Sequence, residues 1–183
     1  NFAFLAVCSA TLLIGCSDHS PGVPPEPMDG EGVEEVGQVS APIINGQLDN
    51  THDAVVAVLS NNGSCSGTII HVSGSYGYVL SAAHCGAPKQ VVMGTDYNSL
   101  GAKKFQVVDY LKHPQYNKVM LDFMMVKFVG ADSSTPVIPA MPPGSDKLVA
   151  GTAVTHVGFG KAGPAPGSNN TKRRQIAGTL FDV

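Results

Sequence analysis

A series of short apolar runs, rich in β-branched residues, limits the fold of this chain more than any other feature of its sequence. The runs occupy positions 54–59, 67–70, 78–80, 90–93, 105–108 and 123–128. Turn-forming residues separate them, and none of the runs has a convincing helical period. Six short strands without helices predict an all-β protein whose strands form an antiparallel barrel.

Composition sets the size of the core and the class of partner. With 183 residues, of which 43% are hydrophobic and 14% charged, the chain can bury one sizeable core and part of a second. The net charge of -3 is unevenly distributed, because residues 16–42 contain six acidic residues and no Lys or Arg. The remaining positive charge is small and scattered, so we expect no nucleic-acid partner.

One of the apolar runs leads directly into a histidine. In the segment 78–85 the strand residues are followed by two alanines, His84 and Cys85, which places the imidazole at the end of a packed element. Histidine can take and return a proton near neutral pH, and a carboxylate on its second ring nitrogen would set its tautomer. Asp122, directly before the run 123–128, is the candidate carboxylate. Taken singly, such a histidine is more often structural and such an aspartate more often caps a turn.

Several motifs in a fixed order give this pair more weight. They are Ile43-Ile44-Asn45-Gly46, Cys65-Ser66-Gly67-Thr68-Ile69-Ile70, Leu80-Ser81-Ala82-Ala83-His84-Cys85, His113-Pro114-Gln115-Tyr116-Asn117 followed by Asp122-Phe123-Met124-Met125-Val126-Lys127-Phe128, and Val154-Thr155-His156-Val157-Gly158-Phe159-Gly160. Together they resemble the trypsin-like (chymotrypsin-family) serine endopeptidases over roughly residues 43–183.

The resemblance implies a peptidase domain of two antiparallel β-barrels, of which this chain contains one and the start of another. We expect the first barrel over about 43–135, a linker over about 136–150, which is rich in proline, and the start of the second barrel over about 151–183. Strands are expected at 153–157 and 175–181, with a solvated polar loop at 163–174 whose basic run is Lys172-Arg173-Arg174.

The same resemblance assigns roles to the site. His84 would be the general base and Asp122 the residue that orients it, acting on a protein or peptide substrate without a cofactor or metal. The nucleophilic serine would stand in a Gly-Asp-Ser-Gly-Gly type motif, and the sequence contains none. We reject Ser145 because it lies in the proline-rich linker, and Ser81 because it is too close to His84 in a strand-like run. The other histidines considered, at 52, 71, 113 and 156, show no spacing typical of a metal site.

Cys65 and Cys85, 20 positions apart, correspond to the cysteines of the family's histidine-loop disulfide. In an exported protein an even pair at this spacing predicts a disulfide, which could stabilise the fold by about 3 kcal/mol. Two free thiols would instead require a reducing compartment.

The amino-terminal residues indicate export. Residues 2–14 have the length of a signal-peptide core, and Gly15-Cys16 resembles a bacterial lipoprotein processing box, with cleavage before Cys16 and lipid on its thiol. We therefore expect a signal peptide over 1–15 and a bacterial protein that is lipid-anchored in the cell envelope, or secreted. Membrane contact would come only through the lipid at Cys16. A transmembrane anchor or a simple secretory signal is the alternative.

Residues 16–42 are acidic, rich in proline and poor in packing residues, which predicts a disordered tether or a pro-segment. Ile43 is the candidate mature amino terminus. The residue before it is Pro42, whereas trypsin-like zymogens are usually cut after Arg or Lys. Activation would therefore need a different protease, or would not use the family's free-amine switch in the usual way.

Two explanations fit the missing serine. In the first, the sequence is a fragment of a longer protease, since it begins without Met or a basic segment and stops within a strand pattern. In the second, it is an inactive protease homologue that serves as an anchored binding or scaffold module. We prefer the first.

Overall fold

A computed structural model describes residues 43–61, 63–118, 120–145, 147–162 and 169–180, the first two of the last range by their backbone alone. The expected signal peptide, the expected tether and the expected lipidation at Cys16 all lie outside these residues. The strands, in chain order, are β1 (Gln47–Leu48), β2 (Val55–Ser60), β3 (Gly63–Ser73), β4 (Tyr76–Ser81), β5 (Pro88–Met93), β6 (Lys103–Lys112), β7 (Met124–Val129), β8 (Ala153–Lys161) and β9 (Asn169–Thr179). A short 3-10 helix, Ala83–Cys85, follows β4, and the described residues contain no α-helix.

Six strands close into a barrel in the order β2-β3-β4-β7-β6-β5, with antiparallel pairing throughout. Each of the six apolar runs in the sequence falls within or largely overlaps one of these strands, so the predicted all-β fold with an antiparallel barrel is confirmed. The strands extend beyond the runs, because their polar ends still pair with neighbours. β3, for example, begins at Gly63 rather than at Gly67.

The barrel interior is filled by alternate residues of its strands. Its largest fully buried members are Phe128, Ile69, Met124, Val56, Val58, Val79, Val91 and Val126. Burying an aliphatic or aromatic side chain of this size contributes about 1.5–3 kcal/mol. This core supports the ends of β4 and β7, and the candidate site residues follow or precede those ends.

A second, three-stranded sheet has the order β1-β9-β8, with both pairs antiparallel. It packs on the outer face of β2 and β5, where Phe159 of β8 lies against Ala57 and Val92. Both faces of β2 are therefore covered, which explains why its first four residues are all buried. This sheet is the part of a second barrel that the described residues contain.

The expectation of a solvated loop over 163–174 is wrong for its described part. β9 begins at Asn169, and Arg173 within the basic run is fully buried. Arg173 is buried because its acidic partners lie far away in sequence, at Asp49 and Asp53, where no local pattern reveals them. Lys172 in the same run is exposed, and Arg174 is half-buried. The remainder of the expected loop, 163–168, lies outside the described residues, and the strand expected to reach 181 ends at Thr179.

The segment between β7 and β8 forms no helix or strand in its described residues, 130–145 and 147–152. One backbone hydrogen bond, from Ile138 N–H to the Ile69 carbonyl (3.0 Å), holds part of it along β3.

Candidate active site

His84 is the middle residue of the 3-10 turn that follows β4. Its neighbours Ala83 and Cys85 are both buried and anchor the turn, whereas the His84 side chain is 35% exposed. The turn ends at Gly86, which has φ 83°, a left-handed conformation that favours glycine. The buried residues on either side of His84 thus hold its partly exposed imidazole in place.

Asp122 lies two residues before β7. Leu121, directly before it, has φ 56°, which is uncommon for a non-glycine residue. Two backbone hydrogen bonds brace this turn: Phe123 N–H to the Leu121 carbonyl (2.8 Å) and His113 N–H to the Phe123 carbonyl (2.9 Å). The Asp122 carboxylate is thereby directed towards the end of β4.

The structure brings His84 and Asp122 together through two hydrogen bonds. The His84 backbone N–H donates to Asp122 Oδ1 (2.8 Å), and His84 Nδ1 lies 2.5 Å from Asp122 Oδ2. Burial raises the pKa of Asp122, but the hydrogen bonds from His84 outweigh it and the pKa lies below its ordinary value. Because the ionised carboxylate can only accept, Nδ1 is the donor in this contact, and in the neutral imidazole the lone pair is then on Nε2.

Tyr116 lies near this pair, close enough for the charge of Asp122 to act on its hydroxyl. Its ring packs against the barrel core. Burial and the nearby negative charge of Asp122 raise the pKa of its hydroxyl. Tyr116 is therefore a neutral packing group beside the carboxylate.

The two serines rejected as nucleophiles, Ser81 and Ser145, both donate hydrogen bonds to backbone carbonyls. The Ser81 hydroxyl is buried and donates to the Ser66 carbonyl (2.9 Å). The Ser145 hydroxyl donates to the Pro142 carbonyl (2.6 Å) in the segment before β8.

Cys65 and Cys85 are joined in a disulfide with a Cα–Cα distance of 6.2 Å, so the predicted disulfide bond is confirmed. It ties β3 to the turn that carries His84. Cys85, the residue directly after His84, therefore links the candidate base covalently to β3 of the barrel.

A second acid–histidine pair, missed by the sequence analysis, lies between the barrel and the sheet. Buried Asp49 contacts His52 Nδ1 (2.7 Å) and accepts from Arg173 Nε (2.5 Å). Burial raises the pKa of Asp49, but the hydrogen bonds outweigh it and hold the pKa far below its ordinary value. An Asp-x-x-His spacing is too common to have revealed this pair, and its cation is 124 positions away.

Three other positions of interest have structural contacts. The His71 ring lies beside that of Tyr78, and the His113 ring beside that of Phe123. Ile43 lies in a turn in which Gly46 N–H donates to its carbonyl (3.2 Å), and the Arg174 guanidinium donates to the Gly46 carbonyl (2.7 Å).

Comparison with known proteins decides the family. The family model described as Trypsin matches residues 43–179, well over half of the 183 residues. This chain belongs to the trypsin family. Proteases of this family act on proteins or peptides as hydrolases and are typically extracellular or secreted.

Two known proteins are similar to this trypsin-family chain, one in sequence and one in structure. Ovochymase of Halocynthia roretzi is 31% identical over 116 residues, which cover 52% of this chain and 7% of that protein. The chain thus corresponds to a small fraction of that relative. Neuropsin, a serine protease expressed in the limbic system of mouse brain, superimposes with a TM-score of 0.62 at 20% identity, over 76% of this chain and 66% of neuropsin. That likeness shows the fold. Among the described residues, no helix is long and apolar enough to cross a membrane.

Proposed function

We propose that this trypsin-family chain is the part of a serine endopeptidase that supplies the base and its orienting carboxylate. His84 is the general base: Nε2 takes the proton of a serine hydroxyl as its oxygen attacks a peptide carbonyl, and later gives a proton to the leaving amine. Asp122 holds the imidazole in the required tautomer and stabilises the imidazolium. The observation that carries the proposal is the two-point contact of Asp122 with the backbone and ring of His84.

The nucleophile has to come from outside the 183 residues, because the sequence has no Gly-Asp-Ser-Gly-Gly motif. That motif would also supply the backbone N–H groups that stabilise the oxyanion. The proposal includes export by a signal peptide over 1–15, lipid on Cys16 and a mature amino terminus at Ile43 formed by an activating protease. The organisation into a tether, a first barrel, a linker and a second barrel belongs to it as well.

The test begins with the genomic DNA beyond the codon for Val183. If the frame continues to the serine motif, the full-length protein should hydrolyse peptide substrates and react with a fluorophosphonate probe at that serine. His84→Ala should abolish both, and Asp122→Asn should lower kcat by about 10⁴-fold, which is the known magnitude for this triad rather than a value derived from the present geometry.

His156→Ala is the matched control and should leave activity within a factor of about two, because His156 is exposed on β8 and lies against Gly178 rather than the candidate site. The 183-residue chain alone should not be labelled by the probe. Labelling of that chain, or full activity in the His84→Ala protein, would contradict the proposal.

A second candidate function also fits a sequence without the serine motif. In that reading the domain is an inactive homologue that binds or scaffolds other proteins of the cell envelope. A stop codon directly after Val183 would support it. Mutation of His84 in the intact protein would then leave the cellular phenotype unchanged.

A further inference from the structure

Two adjacent residues of β3, Cys65 and Ser66, hold the turn that carries the candidate base from both of its sides. The disulfide from Cys65 fixes Cys85, the residue directly after His84. The buried Ser81 hydroxyl, which precedes His84 at the end of β4, donates to the Ser66 carbonyl (2.9 Å). The position of the imidazole therefore depends on where this dipeptide of β3 lies.

The side chain of Ser66 contacts the second sheet at an irregularity of β8. The pairing of β8 with β9 shifts between Gly158 and Gly160, and the register passes over Phe159. Ser66 Oγ donates to the Phe159 carbonyl (3.0 Å) and accepts from the Phe159 N–H (2.7 Å). Because Phe159 is buried, its backbone groups need partners within the protein, and one hydroxyl satisfies both. The residue that helps to hold the base is thus also bound to β8.

We propose that Ser66 is a positioning residue for peptide hydrolysis. It fixes the second sheet relative to the turn of His84, and thereby sets the distance between the nucleophile and the base. This inference rests on the proposed function, in which the nucleophilic serine follows Val183 in the part of the chain that continues the second barrel. The base and the nucleophile then belong to different barrels, and the joint between the barrels controls how they meet.

The chemistry is sensitive to small changes at such a joint. Proton transfer requires Nε2 of His84 to lie within about 2.6–3.2 Å of the serine oxygen. A misplacement of about 1 Å, even when it is caused by a remote substitution, can lower the rate by about 100-fold. The Ser66 hydroxyl should therefore affect the rate of the chemical step more than the binding of substrate.

Gly158 allows β8 to approach β3 closely enough for these hydrogen bonds. A Cβ at position 158 would lie 2.7 Å from Ser66 Oγ and 3.3 Å from Ser66 Cβ. A methyl group there would force the two strands apart while the hydroxyl is still present. Gly158→Ala therefore perturbs the same contact from its other side.

The experiment uses the full-length protein that contains the serine motif. Peptide hydrolysis gives kcat and KM, and a fluorophosphonate probe gives both the rate and the final extent of labelling. Ser66→Ala should lower kcat and the labelling rate by about tenfold to 100-fold, with KM changed by less than about twofold. The final extent of labelling should equal that of the wild type. A merely structural role would instead lower the extent and leave the rate of the folded fraction unchanged.

Two further variants show whether the effect belongs to this contact. Ser64→Ala removes another hydroxyl of β3, which contacts Tyr97 (3.2 Å) rather than β8, and should keep kcat within about twofold. Gly158→Ala should slow labelling as Ser66→Ala does. In the double variant the two effects should be less than multiplicative, because both substitutions disrupt one contact.

Three results with an active wild-type protein would overturn the role of Ser66 and leave the proposed function intact. They are a wild-type labelling rate in Ser66→Ala, a reduced extent of labelling at an unchanged rate, and fully multiplicative effects of Ser66→Ala and Gly158→Ala. A reading frame that ends at Val183, or a wild-type protein that has the serine motif but no activity, would overturn the proposed function and the role of Ser66 together.

Discussion

At the scale of single residues, the most consequential side chain besides the candidate pair is buried Arg173. Its guanidinium donates to Asp49, to the Val55 carbonyl (3.1 Å) and to Asp53 (2.8 Å). A fully buried cation is tolerated only when its donors are satisfied and its charge is compensated. Arg173 meets both conditions, so the loss of one acidic partner should be costly.

Asp49→Asn should lower the free energy of unfolding by about 3–5 kcal/mol at pH 7, because it leaves a buried charge poorly compensated. The chain has no tryptophan, so urea unfolding is followed by far-UV circular dichroism. A combined Asp49→Leu and Arg173→Met protein should be less destabilised than Asp49→Asn, since both charges are removed together. An effect below about 1 kcal/mol in the single variant would contradict this account of Arg173.

The ion pair between Asp49 and Arg173 also predicts that the free energy of unfolding depends on pH. The folded-state pKa of Asp49 is depressed, so its stabilisation is complete above the ordinary value of 3.8 and is lost as the pH falls through the folded-state pKa. The difference between wild type and Asp49→Asn should thus be smaller at pH 3 than at pH 7, by about 1 kcal/mol. An equal difference at both pH values would show that Asp49 titrates normally.

At the scale of elements, β4 and β7, the two strands next to the candidate site, pack closely against each other. Gly77 of β4 pairs with Phe128 of β7, and a Cβ at position 77 would overlap the Phe128 ring. Phe128 is fully buried and also packs against Phe105, with ring centroids 4.9 Å apart. The ring therefore has little room to move aside.

Gly77→Ala should cost about 1–3 kcal/mol of unfolding free energy, the usual penalty for overpacking a filled core. Gly101→Ala is the control, because a Cβ there would meet nothing within 4 Å and the backbone is not in the left-handed region. Urea unfolding at pH 7 measures both. Equal stability of the two variants would mean that the Phe128 ring can shift freely.

At the scale of the whole molecule, one hydroxyl joins the barrel to the second sheet. Ser66 Oγ of β3 donates to the Phe159 carbonyl (3.0 Å) and accepts from the Phe159 N–H (2.7 Å). Gly158 permits this approach, because a Cβ there would lie 2.7 Å from Ser66 Oγ. Ser66 stands next to Cys65, so the joint adjoins the disulfide beside His84.

Ser66→Ala should lower the free energy of unfolding by about 1–3 kcal/mol, because it leaves both backbone groups of Phe159 without this partner in a part-buried place. Hydrogen exchange at the Phe159 amide should accelerate more than exchange in β4. Ser64→Ala removes an exposed contact with Tyr97 and should change stability by less than about 0.5 kcal/mol. Unchanged exchange at Phe159 would show that the joint contributes nothing.

The sequence alone determined what depends on neighbours along the chain. The apolar runs predicted six barrel strands, and the spacing of Cys65 and Cys85 within family motifs predicted their disulfide. The same motifs singled out His84 and Asp122, which the structure places in contact. Alternation, turn residues and motif order are local signals, so they could be read without knowing which strands meet.

Only the tertiary structure decided what depends on partners remote in sequence. Arg173 became a buried cation because Asp49 meets it across 124 positions, and Ser66 reaches Phe159 across 93. The local sequence around a basic residue or a serine is the same whether the side chain is exposed or buried. Its burial and its hydrogen bonds depend on which charges and strands the folded chain places against it.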